Sequence, residues 1–379
     1  MRHLLSACAL SVGLIATSVA KAQPQPARWT GAIDLTIGGQ DADENATFGR
    51  VAGLAVDRDG RIVVADRQDN QLKIFSRDGA FVSLIGRKGA GPLEFERLAA
   101  VTVAPDGLLW TRDEGNARML GIDISGKLPK VVRTVAALQM SNGIHVPITF
   151  NPEGGIVDEG SFYDKDIDSF RPLRLRRSLS GVIARSETLT VPVGANDGLK
   201  KVSRIQRDAA GKQIGVSQNY VWQPHGPQWL RAYGPGGLRA EVVTSRYEVK
   251  IFDDNGTVLR TLTRKVPPVS LSSRERQRAD SILSANKQDV PFGVPAQKAP
   301  IIGIKFSNDG SVWVERAVED GKMHEADVFD KNGKLIAIAA WPRAIEIVGD
   351  YRSVISGTTV TALSTDASEI ERIVRLRFR

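Results

Sequence analysis

The chain has 379 residues, 42% of them hydrophobic and 25% charged, and its formal net charge is +8. This composition excludes an intrinsically disordered chain and a collagen-like one. The length alone allows two domains, and the mild basic excess is compatible with an anionic partner but does not identify one.

The first 22 residues form a predicted export segment. Arg2 supplies the positive start, Leu4 to Val19 form the apolar run, and Ala20-Lys-Ala22 has the small residues of a cleavage site. We expect the mature chain to begin after Ala22, to be periplasmic or extracellular, and to have no transmembrane segment. Cys8 is the only cysteine and leaves with this segment, so the mature chain is expected to have neither a disulfide nor a thiolate metal site.

The stretch from Phe48 to Gly126 contains one pattern twice. Phe48, Arg50, Gly60, Asp66 and Gly79 recur 47 residues later as Phe95, Arg97, Gly107, Asp113 and Gly126. A fixed period of this length is typical of a repeat architecture. Each copy contains four short runs rich in β-forming residues, separated by turn residues. Four antiparallel strands in about 40–50 residues are typical of one propeller blade.

The remaining sequence predicts four further blades. Looser pairs of glycine turns follow at Gly154 and Gly181, at Gly237 and Gly256, and at Gly310 and Gly333. The last unit has three predicted strands, at Ile345–Val348, Ser353–Ile355 and Ile370–Phe378. An unpaired strand near the N-terminus, Trp29–Ile37, would supply the fourth. The sequence therefore predicts an all-β fold, a six-bladed β-propeller of four-stranded antiparallel blades formed by residues 23–379, with the ring closed by the N-terminal strand.

Two insertions interrupt the repeat, at about residues 186–218 and 270–300. The second begins with Ser272-Ser-Arg-Glu275, a capping box that predicts a short helix to about Ala285. Both insertions lie between the last strand of one blade and the first strand of the next. In a propeller these connections lie on the same face as the loops between second and third strands. We therefore expect the long loops and the binding sites to lie on that face.

The repeat resembles the NHL-repeat six-bladed β-propellers, in particular their exported bacterial branch. The resemblance lies in Phe48-x-Arg50, in Asp-x-Asp-Gly60 followed by Ala-Asp66, and in Gly89-x-Gly91-Pro-x-x-Phe95. It implies the fold. It implies little about function, because propellers host unrelated activities.

One hypothesis is a periplasmic enzyme similar to calcium-dependent lactonase-like or hydrolase-like propellers. Asp164-x-Asp166-x-Asp168, on a predicted loop from Ser161 to Phe170, is the best calcium candidate. However, Ser169 and Leu175 occupy the positions where an EF-hand has Gly and Glu. Three histidines, His145, His225 and His324, have no metal-ligand spacing. We therefore assign no catalytic, metal or cofactor residue and expect no cofactor.

The favoured hypothesis is a monomeric binding module for a protein, peptide or glycan ligand, anionic or extended, on the insertion-bearing face. Its predicted ligand contacts are Arg50, Arg97, Arg67, Arg112, Arg246, Arg316, Asp66, Asp113, Trp222 and Tyr247. Arginines there can clamp carboxylate, sulfate or phosphate groups. We expect about half of these arginines to pair instead with Asp66, Asp69, Asp113 or Glu315. Export and the lack of an RNA-binding aromatic motif argue against a nucleic-acid partner.

Overall fold

The computed structural model describes residues 25–40, 42–137, 149–166, 169–285, 292–349 and 351–379. The predicted export segment, His145 and Asp168 lie outside these ranges. The fold is all-β and is a six-bladed propeller of four-stranded antiparallel blades.

The first strand, β1, spans Ala27–Ile37. The first blade consists of β2 (Val51–Val56), β3 (Ile62–Asp66), β4 (Gln71–Phe75) and β5 (Phe81–Ile85). The second blade consists of β6 (Leu98–Val103), β7 (Leu109–Asp113), β8 (Arg118–Asp123) and β9 (Lys130–Ala136). The third consists of β10 (Thr149–Phe150), β11 (Ile156–Asp164), β12 (Ser169–Arg177) and β13 (Ile183–Thr188). A separate hairpin follows, formed by β14 (Leu199–Arg207) and β15 (Gln213–Trp222).

The fourth blade consists of β16 (Trp229–Tyr233), β17 (Arg239–Val243), β18 (Glu248–Phe252) and β19 (Val258–Thr263). Helix α1 (Ser273–Ala285) precedes the fifth blade, which consists of β20 (Ile301–Phe306), β21 (Val312–Arg316), β22 (His324–Phe329) and β23 (Leu335–Trp341). The sixth blade contains β24 (Ser353–Ser356), β25 (Thr359–Thr365) and β26 (Glu371–Phe378). Single 3₁₀ turns occur at Glu44–Ala46 and Pro235–Gly237. Within the described ranges, no helix has the length and apolar character needed to cross a membrane.

β1 closes the ring by pairing with two blades. Its second half, Gly31 to Ile37, runs antiparallel to β26 and completes the sixth blade, as predicted. Its first half, Ala27 to Thr30, pairs in parallel with Ala337 to Ala340 of β23 in the fifth blade. One strand therefore joins two neighbouring sheets by backbone hydrogen bonds and covers an edge of each.

Some predicted boundaries are wrong. Residues 345–348 make only an isolated bridge between Ile345 and Ser364, because Ile345 and its neighbours enter the core as a connector. The second strand of the last blade is instead β25. The predicted loop from Ser161 to Phe170 is largely strand, since β11 and β12 pair out to Asp164 and Ser169. The first insertion runs between β13 and β16, later than predicted, because Ser186 to Thr188 complete the third blade.

The inner strands are apolar on both sides because each blade is packed between two others. In β3, for example, every residue is buried, and no residue before Asp66 is polar. Five hydrophobic clusters fill five of the six boundaries between neighbouring blades. In the largest, Trp313 of the fifth blade packs edge-on against Phe378 of the sixth, with ring centroids 5.1 Å apart.

The boundary between the third and fourth blades is charged. Arg174 and Arg176 of β12 both bind Asp254, in the turn between β18 and β19, at 2.7 and 2.9 Å. Arg231 of β16 binds Glu159 of β11 at 2.5 Å. Of these groups, Arg174, Arg176 and Glu159 are buried. Each of these buried charges has a partner of opposite sign, because an unpaired buried charge is far more costly than a missing apolar contact.

Truncation tests ring closure. A chain beginning at Phe48 lacks β1 and exposes the edges of β23 and β26, which favours pairing with other chains. We expect it to aggregate or to melt well below a control chain beginning at Gln25, which retains β1. Light scattering and thermal melting measure this, and equal stability of the two chains would contradict closure by β1.

Substitution of Asp254 tests the charged boundary. Asp254→Ala leaves Arg174 and Arg176 to the more distant Glu187 carboxylate, at 4.0 and 3.7 Å, so we expect it to lower the free energy of unfolding by about 3 kcal/mol. Asp253→Ala is the matched control in the same turn, where the carboxyl accepts one bond from the Thr257 amide. That loss should be about 1 kcal/mol. Similar losses in chemical denaturation would show that the boundary does not depend on the pairing.

Candidate functional site

One face of the ring, here the insertion face, carries the loops between second and third strands and the connections between blades. The other, the opposite face, carries the tight turns, such as those at Gly60 and Gly107, whose φ angles of 83° and 89° favour glycine. Gln223 of the first insertion donates to the Gly293 carbonyl of the second at 2.7 Å. Arg246, between β17 and β18, donates to the Val193 carbonyl at 3.4 Å. The two insertions therefore meet each other on one face.

Helix α1 is anchored to the fifth blade by charged contacts. The predicted capping box is present, because Ser272 N donates to Glu275 at 3.0 Å and Glu275 N donates to Ser272 Oγ at 3.1 Å. Lys298 binds the Glu275 carboxylate at 2.5 Å. Arg274 binds Asp320, between β21 and β22, at 2.6 Å. Hydrogen bonds from Arg274 and Ser272 lower the pKa of Asp320. The second insertion is therefore held in place at the start of its helix.

The repeated aspartates fix the backbone where the innermost strands begin. Asp66 accepts hydrogen bonds from the amides of Gly49 and Arg50 at 3.0 and 3.1 Å. Asp113 does the same for the amides of Glu96 and Arg97, at 3.1 and 3.0 Å. Both aspartates are fully buried, so they are not ligand contacts on the surface. The 47-residue period preserves this backbone contact.

The next amide of each strand is held by the preceding blade. The amide of Val51 donates to Glu371 of the sixth blade at 2.5 Å, and the amide of Leu98 donates to Asn70 of the first blade at 3.1 Å. Val51 and Leu98 are again 47 residues apart. Burial raises the pKa of Glu371, against the opposing effects of the Val51 amide and of Arg352 and Arg50. The first and second blades are thus each aligned to the preceding blade by one polar side chain.

Four of the six predicted arginines are paired with carboxylates. Arg67 and Arg97 share Glu114, at 3.4 and 3.1 Å. Arg112 is buried against Asp158 of the third blade. Arg316 binds Glu325 at 2.7 Å and Asp327 at 3.0 Å. None of these carboxylates is among the predicted partners. Arginine pairing is therefore more extensive than expected and mostly joins residues whose proximity only the folded ring creates.

Arg50 and Arg246 are the other two of the six predicted arginines. Both are exposed, and neither forms an ion pair with a carboxylate in the part of the chain that the structure describes. They belong to the first and fourth blades, which are opposite each other in a ring of six.

The two predicted aromatic contacts differ in position. Trp222, at the end of β15, is 47% exposed. Tyr247 is buried, and its hydroxyl donates to Asp327 at 2.6 Å. Burial and the charge of Asp327 raise the pKa of this hydroxyl. Tyr247 therefore joins the fourth blade to the fifth and is not open to a ligand, whereas Trp222 is.

The described residues contain no group of three or more His, Cys, Asp or Glu side chains placed to hold a metal. In the predicted calcium loop, Asp164 ends β11 and forms an ion pair with Arg171, and its carboxylate also accepts the Asp166 amide at 2.9 Å. Leu175 lies within β12, opposite Asp158. Residues with the spacing of a calcium loop therefore belong to a pair of hydrogen-bonded strands.

His324 forms a pair that the sequence did not reveal. Its Nδ1 lies 2.6 Å from Glu315 Oε1, and its ring stacks on Trp341 with centroids 5.3 Å apart. Burial lowers the pKa of His324, but the hydrogen bond and charge of Glu315 outweigh it, so that the pKa is raised. The second ring nitrogen, Nε2, lies 3.3 Å from the Arg343 carbonyl oxygen. Both nitrogens are thus occupied by this chain, which makes the pair a structural one.

Comparison with known proteins supports the fold. The model of the DUF5128 family, described as a 6-bladed beta-propeller, matches residues 43–124. No curated protein matches the sequence. The NHL-repeat resemblance stays a prediction.

Several solved structures are similar at low identity. A member of the DUF4221 family from Bacteroides vulgatus is 10% identical, with 94% of this chain and 99% of that chain covered and a TM-score of 0.48. A catalytically inactive virginiamycin B lyase from Staphylococcus aureus with quinupristin is 13% identical, with coverage of 90% and 98% and a TM-score of 0.41. A gluconolactonase from Xanthomonas campestris is 12% identical, with coverage of 93% and 98% and a TM-score of 0.39. At these values, the activities of those proteins say nothing about this chain.

The His324–Glu315 pair predicts a pH-dependent stability. A raised folded-state pKa stabilises the fold below the unfolded value of about 6.5, and the stabilisation is lost as pH rises through the folded-state pKa. We therefore expect His324→Gln to destabilise the protein more at about pH 5.5 than at about pH 9. Denaturant unfolding of both proteins at each pH measures the difference. A difference that does not change with pH would contradict protonation of His324 in the fold.

Proposed function

We propose that this protein is an exported binding module that recognises an anionic ligand on its insertion face. The observation that carries the proposal is that two basic insertions meet on one face of a rigid ring. The hairpin from Leu199 to Trp222 contains five basic residues and one acidic residue. Helix α1 contains three arginines, at 274, 276 and 278, and two acidic residues.

The arginines that remain unpaired support the same face. Most arginines near the ring's connections are neutralised by carboxylates, so they serve the fold and not a ligand. Arg50 and Arg246 are exposed there without such partners, as are Arg276 and Arg278 of helix α1 within the described ranges. An exposed guanidinium group binds carboxylate, sulfate or phosphate through paired hydrogen bonds. The rigid ring holds the backbone of Arg50 and Arg246 at fixed positions, which lowers the entropy cost of binding.

Charge reversal tests the proposal, with immobilised heparin as the polyanionic probe. We expect Arg50→Glu with Arg246→Glu to weaken retention about tenfold or more, because one lost charge-assisted contact of about 1.5 kcal/mol already has that effect. The measurement is the salt concentration at which the protein elutes, which should fall in this variant.

A matched control reverses Arg58 and Lys331, which are exposed in turns of the opposite face. This variant has the same net charge as the first. Its retention should stay close to that of the unmodified protein. An equal loss in both variants would show that heparin responds to net charge alone and would overturn the assignment of the face.

A further inference from the structure

The hairpin of β14 and β15 is exposed in a way that no blade is. Among the described residues its two strands pair with each other alone, over nine residue pairs that include Ile205 opposite Val216. Near its base Val202 and Val221 are buried, whereas every residue from Ile205 to Ile214 is exposed. At about 3.3 Å per residue, strands of this length extend about 30 Å. The distal half of the hairpin therefore stands clear of the ring.

This exposed hairpin carries large apolar side chains. Ile205 is 50% exposed, Ile214 65%, Val216 52% and Trp222 47%. Ile205, Val216 and Trp222 lie on one face of the hairpin, because opposed residues and residues two apart share a face. Clustered apolar exposure on a soluble protein marks a surface that contacts something else.

Cations accompany these apolar residues. Arg207 and Lys212, both exposed near its tip, are among the five basic residues of the hairpin. The one acidic residue, Asp208, has its carboxylate bound by the amides of Ala210 and Lys212 at 3.0 and 2.9 Å. The positive charge of the hairpin is therefore not balanced within the hairpin itself.

Helix α1, in the other insertion, repeats the combination. Arg276 and Arg278 are exposed, and Ile282, one turn beyond Arg278, is 49% exposed. The contact between Gln223 and Gly293 brings the two insertions together. Two separate segments thus present cations and aliphatic side chains on the same face.

We infer that the insertion face docks on an anionic phospholipid bilayer. Lysine and arginine attract anionic headgroups, isoleucine and valine leave water for the acyl boundary, and tryptophan is suited to the interface between them. A hydrated anionic glycan would use the cations and Trp222 but offers no apolar surface for Ile205, Ile214 and Val216. This inference rests on the proposed function and names the class of its anionic ligand.

Vesicle sedimentation tests the inference. We expect the protein to cosediment with vesicles that contain phosphatidylglycerol and not with vesicles of phosphatidylcholine alone, and to be released by salt. Arg207→Glu with Lys212→Glu, two exposed cations near the tip, should weaken binding about tenfold or more. Ile205→Ser with Val216→Ser keeps the charge and should weaken it by a similar factor, about tenfold. The tryptophan emission maximum should shift to shorter wavelength when the protein binds vesicles, and this shift should be smaller in Trp222→Phe.

Matched controls lie on the opposite side of the ring. Val258 and Leu259, at the start of β19 beside an opposite-face turn, are 49% and 46% exposed, so their replacement by serine removes similar apolar area. Arg58→Glu with Lys331→Glu removes similar charge. Both control variants should bind the anionic vesicles as the unmodified protein does. Losses as large as those of the hairpin variants would overturn the inference.

Other outcomes separate the inference from the proposed function. Binding to heparin without binding to anionic vesicles would overturn the bilayer and leave an anionic ligand of another class. If the protein binds neither heparin nor anionic vesicles, the bilayer inference and the proposed function are both overturned. Equal binding to the two vesicle types, or a change in self-association of the hairpin variants without a change in vesicle binding, would also overturn the bilayer. In the latter case the patch would be an interface between copies of the chain.

Discussion

The pairing of β1 with both β23 and β26 is the constraint on which the ring depends. Without β1 the outer edges of β23 and β26 would be exposed, and an exposed edge invites pairing with another chain. Here eleven residues from the start of the described chain cover the last blade and also hydrogen-bond to the blade before it. Closure holds the blades in a ring, and both insertions emerge on one face of it because each connects the last strand of one blade to the first strand of the next.

Within the closed ring, the six boundaries between blades are not alike. Five are filled by apolar clusters, and the boundary between the third and fourth blades is filled by arginines and carboxylates. The first insertion emerges at this charged boundary. Apolar packing tolerates small shifts, whereas the two ion pairs that share Asp254 require one relative placement of two blades. The base of the hairpin is therefore held by strands whose position is set by charge.

The sequence predicts the ring well where its period is strict. The offset of 47 residues placed the first two blades correctly because Asp66 and Asp113 make the same backbone contacts in each. The period does not show that those aspartates are buried. Aspartates that bind backbone amides and aspartates that contact a ligand would both recur every 47 residues. The pairing of Arg112 with Asp158 depends on how adjacent blades approach, which no local pattern encodes. The sequence does not predict β14, because basic residues are spread along this strand and it lacks the apolar run of a buried strand.

The central claim is that recognition lies on the insertion face, at the hairpin and helix α1. Hydrogen–deuterium exchange of the whole protein, with and without vesicles containing phosphatidylglycerol, tests it most directly. The account predicts slower exchange in residues 199–222 and 273–285, and no change in the opposite-face turns at residues 57–61 and 330–334. Slower exchange in those turns, or no change in the hairpin while the protein is bound, would contradict the account.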